Sequence, residues 1–175
     1  MKIRNIVLVG FMGTGKTTVG KRLAKQLNWD FIDTDVAIEE ISGMSIPEIF
    51  RRHGETRFRS EEKVLVKRLL EREGCVISTG GGTPLSEENW EMLSQIGFII
   101  SLYASIDIIL ERISGSSERP LLKAARDENE RLLLSRQPIY DKADLTINTT
   151  EMNIDEVVDE ILNNIKGRVL KELTD

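Results

Sequence analysis

The stretch that decides the fold is Ile3-Arg4-Asn5-Ile6-Val7-Leu8-Val9-Gly10-Phe11-Met12-Gly13-Thr14-Gly15-Lys16-Thr17. Residues 3–9 form a short apolar run ending in glycine, the mark of a buried parallel strand. The next eight residues fit the pattern G-x-x-x-x-G-K-[ST]. Helical spacing of Val19, Leu23 and Leu27 follows directly. Strand, loop and helix in that order make a phosphate-binding loop. Its glycines let backbone N–H groups turn toward an anion, and the helix N-terminus adds partial positive charge. In such a loop Lys16 reaches the β- and γ-phosphates of a nucleotide, and the Thr17 hydroxyl is a magnesium ligand.

Outward from that loop, strand and helix patterns alternate along all 175 residues. Further strands are expected over 29–33, 75–79, 98–103 and 145–148. Helices are expected over 14–28, 35–42, 55–72, 86–95, 106–113, 127–136 and 154–173. Ser45-Ile46-Pro47-Glu48 reads as a helix start, with Ser45 as cap, proline in the first turn and Glu48 three residues later. Val64, Leu65 and Leu69 should face inward. Residues 115–123 read as a polar loop. The alternation predicts one α/β domain over 1–175, a parallel sheet with helices on both faces. Sheets of this kind bind ligands outside the carboxyl ends of their strands. Residues 10–17, Asp33-Thr34-Asp35 and Gly80-Gly81-Gly82 each follow a strand, so they should converge on one rim.

Composition narrows the function. The chain is 40% hydrophobic and 30% charged, with a net charge of −5. Disorder is excluded, and a general affinity for nucleic acid would need the opposite sign. An anionic ligand must therefore meet a local basic site. No apolar run approaches the ~20 residues of a membrane helix. Met1-Lys2-Ile3-Arg4 carries no signal-peptide pattern, so a cytoplasmic protein is expected. Cys75 stands alone, which excludes an internal disulfide and a cysteine zinc cluster. It sits in an apolar run and is expected to be buried. His53, also single, should cap or flank a helix.

Three further groups carry chemistry. Asp33 and Asp35, two apart in extended chain, would face the same side near the phosphates. One suits magnesium and the other a hydroxyl acceptor, while Asp33 or Thr34 can also cap the next helix. Gly80, Gly81 and Gly82 offer a turn without side chains whose N–H groups can donate to a ligand. The third strand ends Ile77-Ser78-Thr79 with no acid, which weakens a GTPase or motor ATPase and leaves Asp33 as the metal partner. No guanine-reading tetrapeptide (Asn/Thr-Lys-x-Asp) occurs. Arg119 precedes Pro120 in a Gly/Ser-rich segment, the pattern of a mobile lid whose arginine can reach transferring phosphates. Arg51, Arg52, Arg57 and Arg126 read as surface charges.

Taken together, residues 10–17, Asp33-Thr34-Asp35, Phe58-Arg59 with Glu62, Gly80-Gly81-Gly82, Arg119-Pro120-Leu121-Leu122, and Arg136 with Tyr140 resemble the shikimate kinase family in order and spacing. The resemblance covers nearly the whole chain. It implies a three-layer P-loop kinase fold of the nucleoside-monophosphate-kinase type, with a five-stranded parallel sheet. It implies transfer of the ATP γ-phosphate to the 3-hydroxyl of shikimate, with Mg2+, on the route to chorismate and the aromatic amino acids. By the same resemblance Gly13, Thr14, Gly15, Lys16, Thr17, Thr18, Arg112 and Arg119 contact ATP, and Thr17 and Asp33 serve the metal. Asp35 binds shikimate hydroxyls and is the base. Arg59 and Arg136 hold the carboxylate, Glu62 orients Arg59, and Gly80, Gly81 and Gly82 line the pocket. Lys16, Asp35 and Arg119 form the catalytic set, with residues 115–123 as lid. The loop over 149–154 flanks adenine, with Ile154 where some members have proline. The expected partners are two small molecules, with no nucleic acid, no membrane and a monomeric chain. The alternative on the same fold is a gluconate-type or nucleotide kinase, and a non-catalytic nucleotide switch is the alternative of another class.

Overall fold

Ile6–Val9 (β1), Asp30–Asp33 (β2), Cys75–Ser78 (β3), Phe98–Tyr103 (β4) and Leu145–Asn148 (β5) form one sheet, all parallel, in the order β2-β3-β1-β4-β5. The helices are Lys16–Leu27 (α1), Thr34–Ser42 (α2), Ile46–Leu69 (α3), Glu87–Ile96 (α4), Ile106–Ser114 (α5), Arg119–Tyr140 (α6) and Ile154–Ile165 (α7), with a 3₁₀ turn at Thr83–Leu85. The structure is a computed structural model. It describes residues 2–114, 119–166 and 168, with the backbone alone for 114 and 119–125. The helix expected over 154–173 stops at Ile165, where Lys166 leaves helical geometry at ψ 128°; residues 167 and 169–173 of that expectation lie outside the described residues.

The strand period of two divides the core into halves. Ile6 and Leu8 of β1 pack with Val19, Leu23 and Leu27 of α1 and with Val158 and Ile161 of α7. Val7 and Val9 turn the other way, onto a cluster that includes Ile38, Leu65, Leu69, Leu93 and Ile109. Every residue of β1 and β3 is buried, so these strands read as unbroken apolar runs. Cys75 is buried as expected.

Local sequence explains most element ends. Asn28, in the left-handed region at φ 52°, closes α1, and Ser86 caps α4 by accepting from Asn89 N. Asn153 and Glu156 form a reciprocal capping box at α7. The start of α3 departs from expectation. Ser45 stands at the cap position but its side chain makes no capping bond. Glu39 of α2 supplies the acceptor instead, its Oε1 taking the Ile46 N–H at 2.8 Å. The two helices expected around Gly54 are one run, interrupted where Gly54 adopts φ 78° and ψ 175°. His53 lies exposed just before that break. Val64 is 47% exposed, a correction, because the inward stripe of α3 runs through Leu65, Val66 and Leu69. Residues 119–123, expected as loop, begin α6, and residues 115–118 lie outside the described residues. The exposed Arg51 and Arg52 face a half-buried Glu48, exposed Arg57 faces a half-buried Glu61, and Arg126 and Asp107 pair on the open surface.

Asn5, just before β1, ties the entry of β1 to the start of β3, the turn before it and the end of α4. Its Nδ2 donates to Arg72 O at 2.7 Å and to Ile96 O at 2.9 Å. Its Oδ1 accepts from Cys75 N at 3.0 Å. Asn5→Ala leaves these backbone groups without partners, each worth about 1–3 kcal/mol when buried. The expected loss is about 2–4 kcal/mol in urea unfolding with an unchanged slope. A loss below about 1 kcal/mol would mean that water reaches these groups.

Candidate active site

The turn between β1 and α1 is closed by Thr14, whose Oγ1 donates to Phe11 O at 2.8 Å. Gly15, at φ 95°, caps α1 without a side chain, and no acidic residue lies in the first turn. The helix therefore presents free N–H groups and an uncompensated positive end. Lys16 opens α1 and is 9% exposed. Its Nζ donates to Gly10 O at 2.9 Å and Phe11 O at 2.8 Å. Burial lowers its pKa to about 8, against the pull of Asp35 and Asp33 and with a small push from Arg136.

Asp33 ends β2 and caps α2. Its Oδ1 accepts from Asp35 N at 3.1 Å, and its Oδ2 accepts from Thr17 Oγ1 at 2.8 Å. Ser78 Oγ lies 3.5 Å from the same Thr17 hydroxyl. Asp35 is not on extended chain, as the two-residue spacing suggested, but in the first turn of α2. The two carboxylates nevertheless line one cavity of about 310 Å³ with Lys16, Thr17, Thr79 and Gly80. Burial pushes Asp35 up to about 6; the charges of Asp33, Glu62 and Glu39 add to this, and Lys16 opposes it. Thr34, buried between the aspartates, accepts the Gly80 N–H at 2.9 Å and so ties α2 to the glycine turn.

That turn is crowded at Gly80 and Gly82. A Cβ on Gly80 would overlap the Asp35 carboxylate, and one on Gly82 would overlap Arg59 Nη1 and Nη2. Arg136 Nη1 is 3.6 Å from where a Gly81 Cβ would sit. The two arginines thus stand against consecutive glycines although they come from α3 and α6. Arg59 Nη1 donates to Glu62 Oε2 at 2.7 Å, and Thr83 Oγ1 donates to Glu62 Oε1 at 2.6 Å. Arg59 also bonds Glu55. Arg136 lies over the Phe11 ring, 5.7 Å from its centroid. Tyr140 donates to Gly81 O at 2.7 Å, and burial raises its pKa against the effect of Arg136.

A second cavity, of about 540 Å³, lies behind the phosphate loop and is lined by Gly15, Thr18, Arg112, Thr149 and Ile154 among others. Arg112 joins its two walls, donating to Gly13 O at 3.3 Å and to Thr149 O at 3.0 Å. Only Arg119 falls away from the assembled set: its backbone starts α6, and its side chain lies outside the described residues. Sequence reading offered Thr34 as a cap and set Arg112 and the 149–154 loop on the nucleotide side, but it missed the Thr34 bond to Gly80, the Arg136–Phe11 contact, Thr83 and the direct Arg112–Thr149 bonds. Threonine before an aspartate at a helix start was the one available signal for Thr34; the others depend on tertiary contact alone.

The family model described as shikimate kinase matches residues 12–166. A shikimate kinase of Pelotomaculum thermopropionicum is 45% identical over 166 residues, spanning 94% of this chain and 96% of that protein. The solved shikimate kinase from Acinetobacter baumannii in complex with shikimate superposes with a TM-score of 0.85 at 39% identity, covering 97% of this chain and 96% of that one. A gluconokinase from Sinorhizobium meliloti, at 17% identity and a TM-score of 0.60, shares the fold alone. A family model spanning most of the residues, and a relative alike over nearly the whole length, lead to one statement: the chain belongs to the shikimate kinase family.

Proposed function

We propose that this chain transfers the γ-phosphate of ATP to the 3-hydroxyl of shikimate. The observation that carries this reading is the pair Arg59 and Arg136 against Gly82 and Gly81, with Asp35 against Gly80 and Lys16 beside it. Two guanidinium groups suit a carboxylate, and the aspartate suits ring hydroxyls. A nucleotide acceptor would instead need a base pocket and a phosphate site there, and gluconate kinase chemistry finds support only in a shared fold. The test is an assay with ATP, Mg2+ and shikimate, the product identified as the 3-phosphate by phosphorus NMR. Comparable turnover of gluconate or a nucleoside monophosphate would overturn the reading.

In this mechanism the α1 N-terminus and Lys16 hold the nucleotide phosphates. Arg59 and Arg136 fix the carboxylate and so aim the hydroxyl at the γ-phosphorus. The hydroxyl oxygen bonds to phosphorus as the bond to the β-bridging oxygen breaks, and the hydroxyl proton passes to Asp35. A carboxyl group pushed up to about 6 is suited to receive it. Arg119 is assigned to the transferring phosphates and Arg112 to the adenine side.

The Asp33, Thr17 and Ser78 oxygens fit Mg2+, which binds hard oxygen donors and is held by few protein groups plus water and phosphate. Thr17 and Asp33 would hold the ion, which when bound neutralises phosphate charge.

Lys16→Ala removes a cation from the transferring group and should lower kcat by about 10²–10³ while the protein stays folded. Near-normal turnover in a folded variant would refute the phosphate-loop role. Arg136→Lys keeps the charge but loses the planar fork. It should raise the shikimate KM well above that of wild type and leave the ATP KM almost unmoved; equal losses for both would assign Arg136 to the phosphates.

Asp35→Asn separates stability from chemistry. The folded pKa is raised above the unfolded value, so ionising Asp35 costs stability. That cost is absent below about pH 4 and complete above about pH 6. The variant should therefore melt with wild type at pH 4 and about 2–4 °C above it at pH 7.5. Its turnover should fall by roughly 10²–10⁴. A variant that melts below wild type at pH 7.5 would show the ionised carboxylate to be a net support.

A further inference from the structure

Arg59 meets two carboxylates of its own helix, and they differ in kind. The Glu62 side chain is 1% exposed and pinned by Thr83. The Glu55 side chain, one turn earlier, is 65% exposed. Its Oε1 accepts from Arg59 Nε at 3.1 Å and from Nη2 at 2.9 Å. The Nε–Nη2 edge is one of those by which a guanidinium grips a carboxylate in a fork. The Nη1–Nη2 end abuts Gly82, and Nη1 is held by Glu62. Both approaches to the cation are thus engaged from within the chain.

We propose that Glu55 is an internal competitor for the acceptor's carboxylate: it occupies the Arg59 edge which that carboxylate takes, and swings out when the acceptor binds. This deepens the reading above and rests on it, since it requires an acceptor whose carboxylate is held by Arg59. An exposed ion pair is worth little, so the exchange is inexpensive. Glu55 directly follows Gly54, where the helix is broken, and so opens a fresh helical segment. A negative charge is favoured at a helix N-terminus, and Glu55 keeps that partner after leaving Arg59. There is also room to move, because a cavity of about 670 Å³ opens beside it, lined by Thr56, Ser60 and Lys63 among others. Glu62 has none of these freedoms. The two glutamates therefore divide the work, Glu62 orienting the cation and Glu55 keeping it from ligands that lack a carboxylate able to replace its own.

Glu55→Gln tests this in the intact enzyme. With the competitor neutralised, the shikimate KM should fall by about two- to five-fold, and kcat should change by less. The methyl ester of shikimate, which offers no anionic carboxylate, should show no change in kcat/KM between variant and wild type. An unchanged or raised shikimate KM would overturn the proposal, making Glu55 inert or a support for Arg59. An equal gain with the ester would also overturn it, assigning the effect to the general field of the site. Wild-type protein that fails to phosphorylate shikimate would overturn the parent reading first, and this one with it.

Discussion

Double pairing of β1 is the constraint on which the site depends. With β3 on one side and β4 on the other, β1 has no free edge, and its register fixes where three parallel strands end. The chain reaches β2 and β3 on one side of β1 before crossing to β4 and β5 on the other. That reversal is where an open α/β sheet leaves a crevice at its carboxyl rim. The phosphate loop leaves β1 there, the aspartates leave β2, and the glycine turn leaves β3. Asn5 anchors the opposite end of β1 to the start of β3 and the end of α4, so the β1–β3 pairing is secured away from the chemistry.

The rim concentrates charge that the core has to support. Burial moves the Lys16 pKa down and the Asp35 pKa up, while Asp33 acts on both, Arg136 on Lys16 and Glu62 on Asp35. Burial disfavours the charged form of both, and their mutual attraction offsets only part of this. Such a site is less stable than an apolar one of the same shape, and is retained for what it does. The apolar clusters on the two faces of the sheet supply the opposing stabilisation.

The order of elements was legible because a buried parallel sheet writes its strands as short apolar runs, and β4 and β5 match their expected bounds. The phosphate loop was legible because one local turn contains it. Asp35 was placed correctly but for an incomplete reason, since a helical turn rather than strand pleat brings it beside Asp33. Thr34 holds the glycine turn 46 residues away, and Arg112 reaches Thr149 across 37 residues. Contacts between distant segments leave no periodicity for a sequence reading to find. The start of α3 shows the same limit from the other side. The serine cap signal was present, but Glu39 from a neighbouring helix satisfied the backbone first.

The buried Glu62 has a consequence for how the site can change over generations. Its carboxylate has two partners in the structure, Thr83 and Arg59. Removing the arginine would leave a buried negative charge half compensated, a loss of roughly 1–3 kcal/mol because the guanidinium side is partly open to water. Position 59 is therefore answerable to folding as well as to the ligand. A lineage drifting toward an uncharged acceptor could not relinquish this cation alone. It would have to exchange both members of the pair together, so folding alone would keep a cation at position 59 whatever the selection on the ligand.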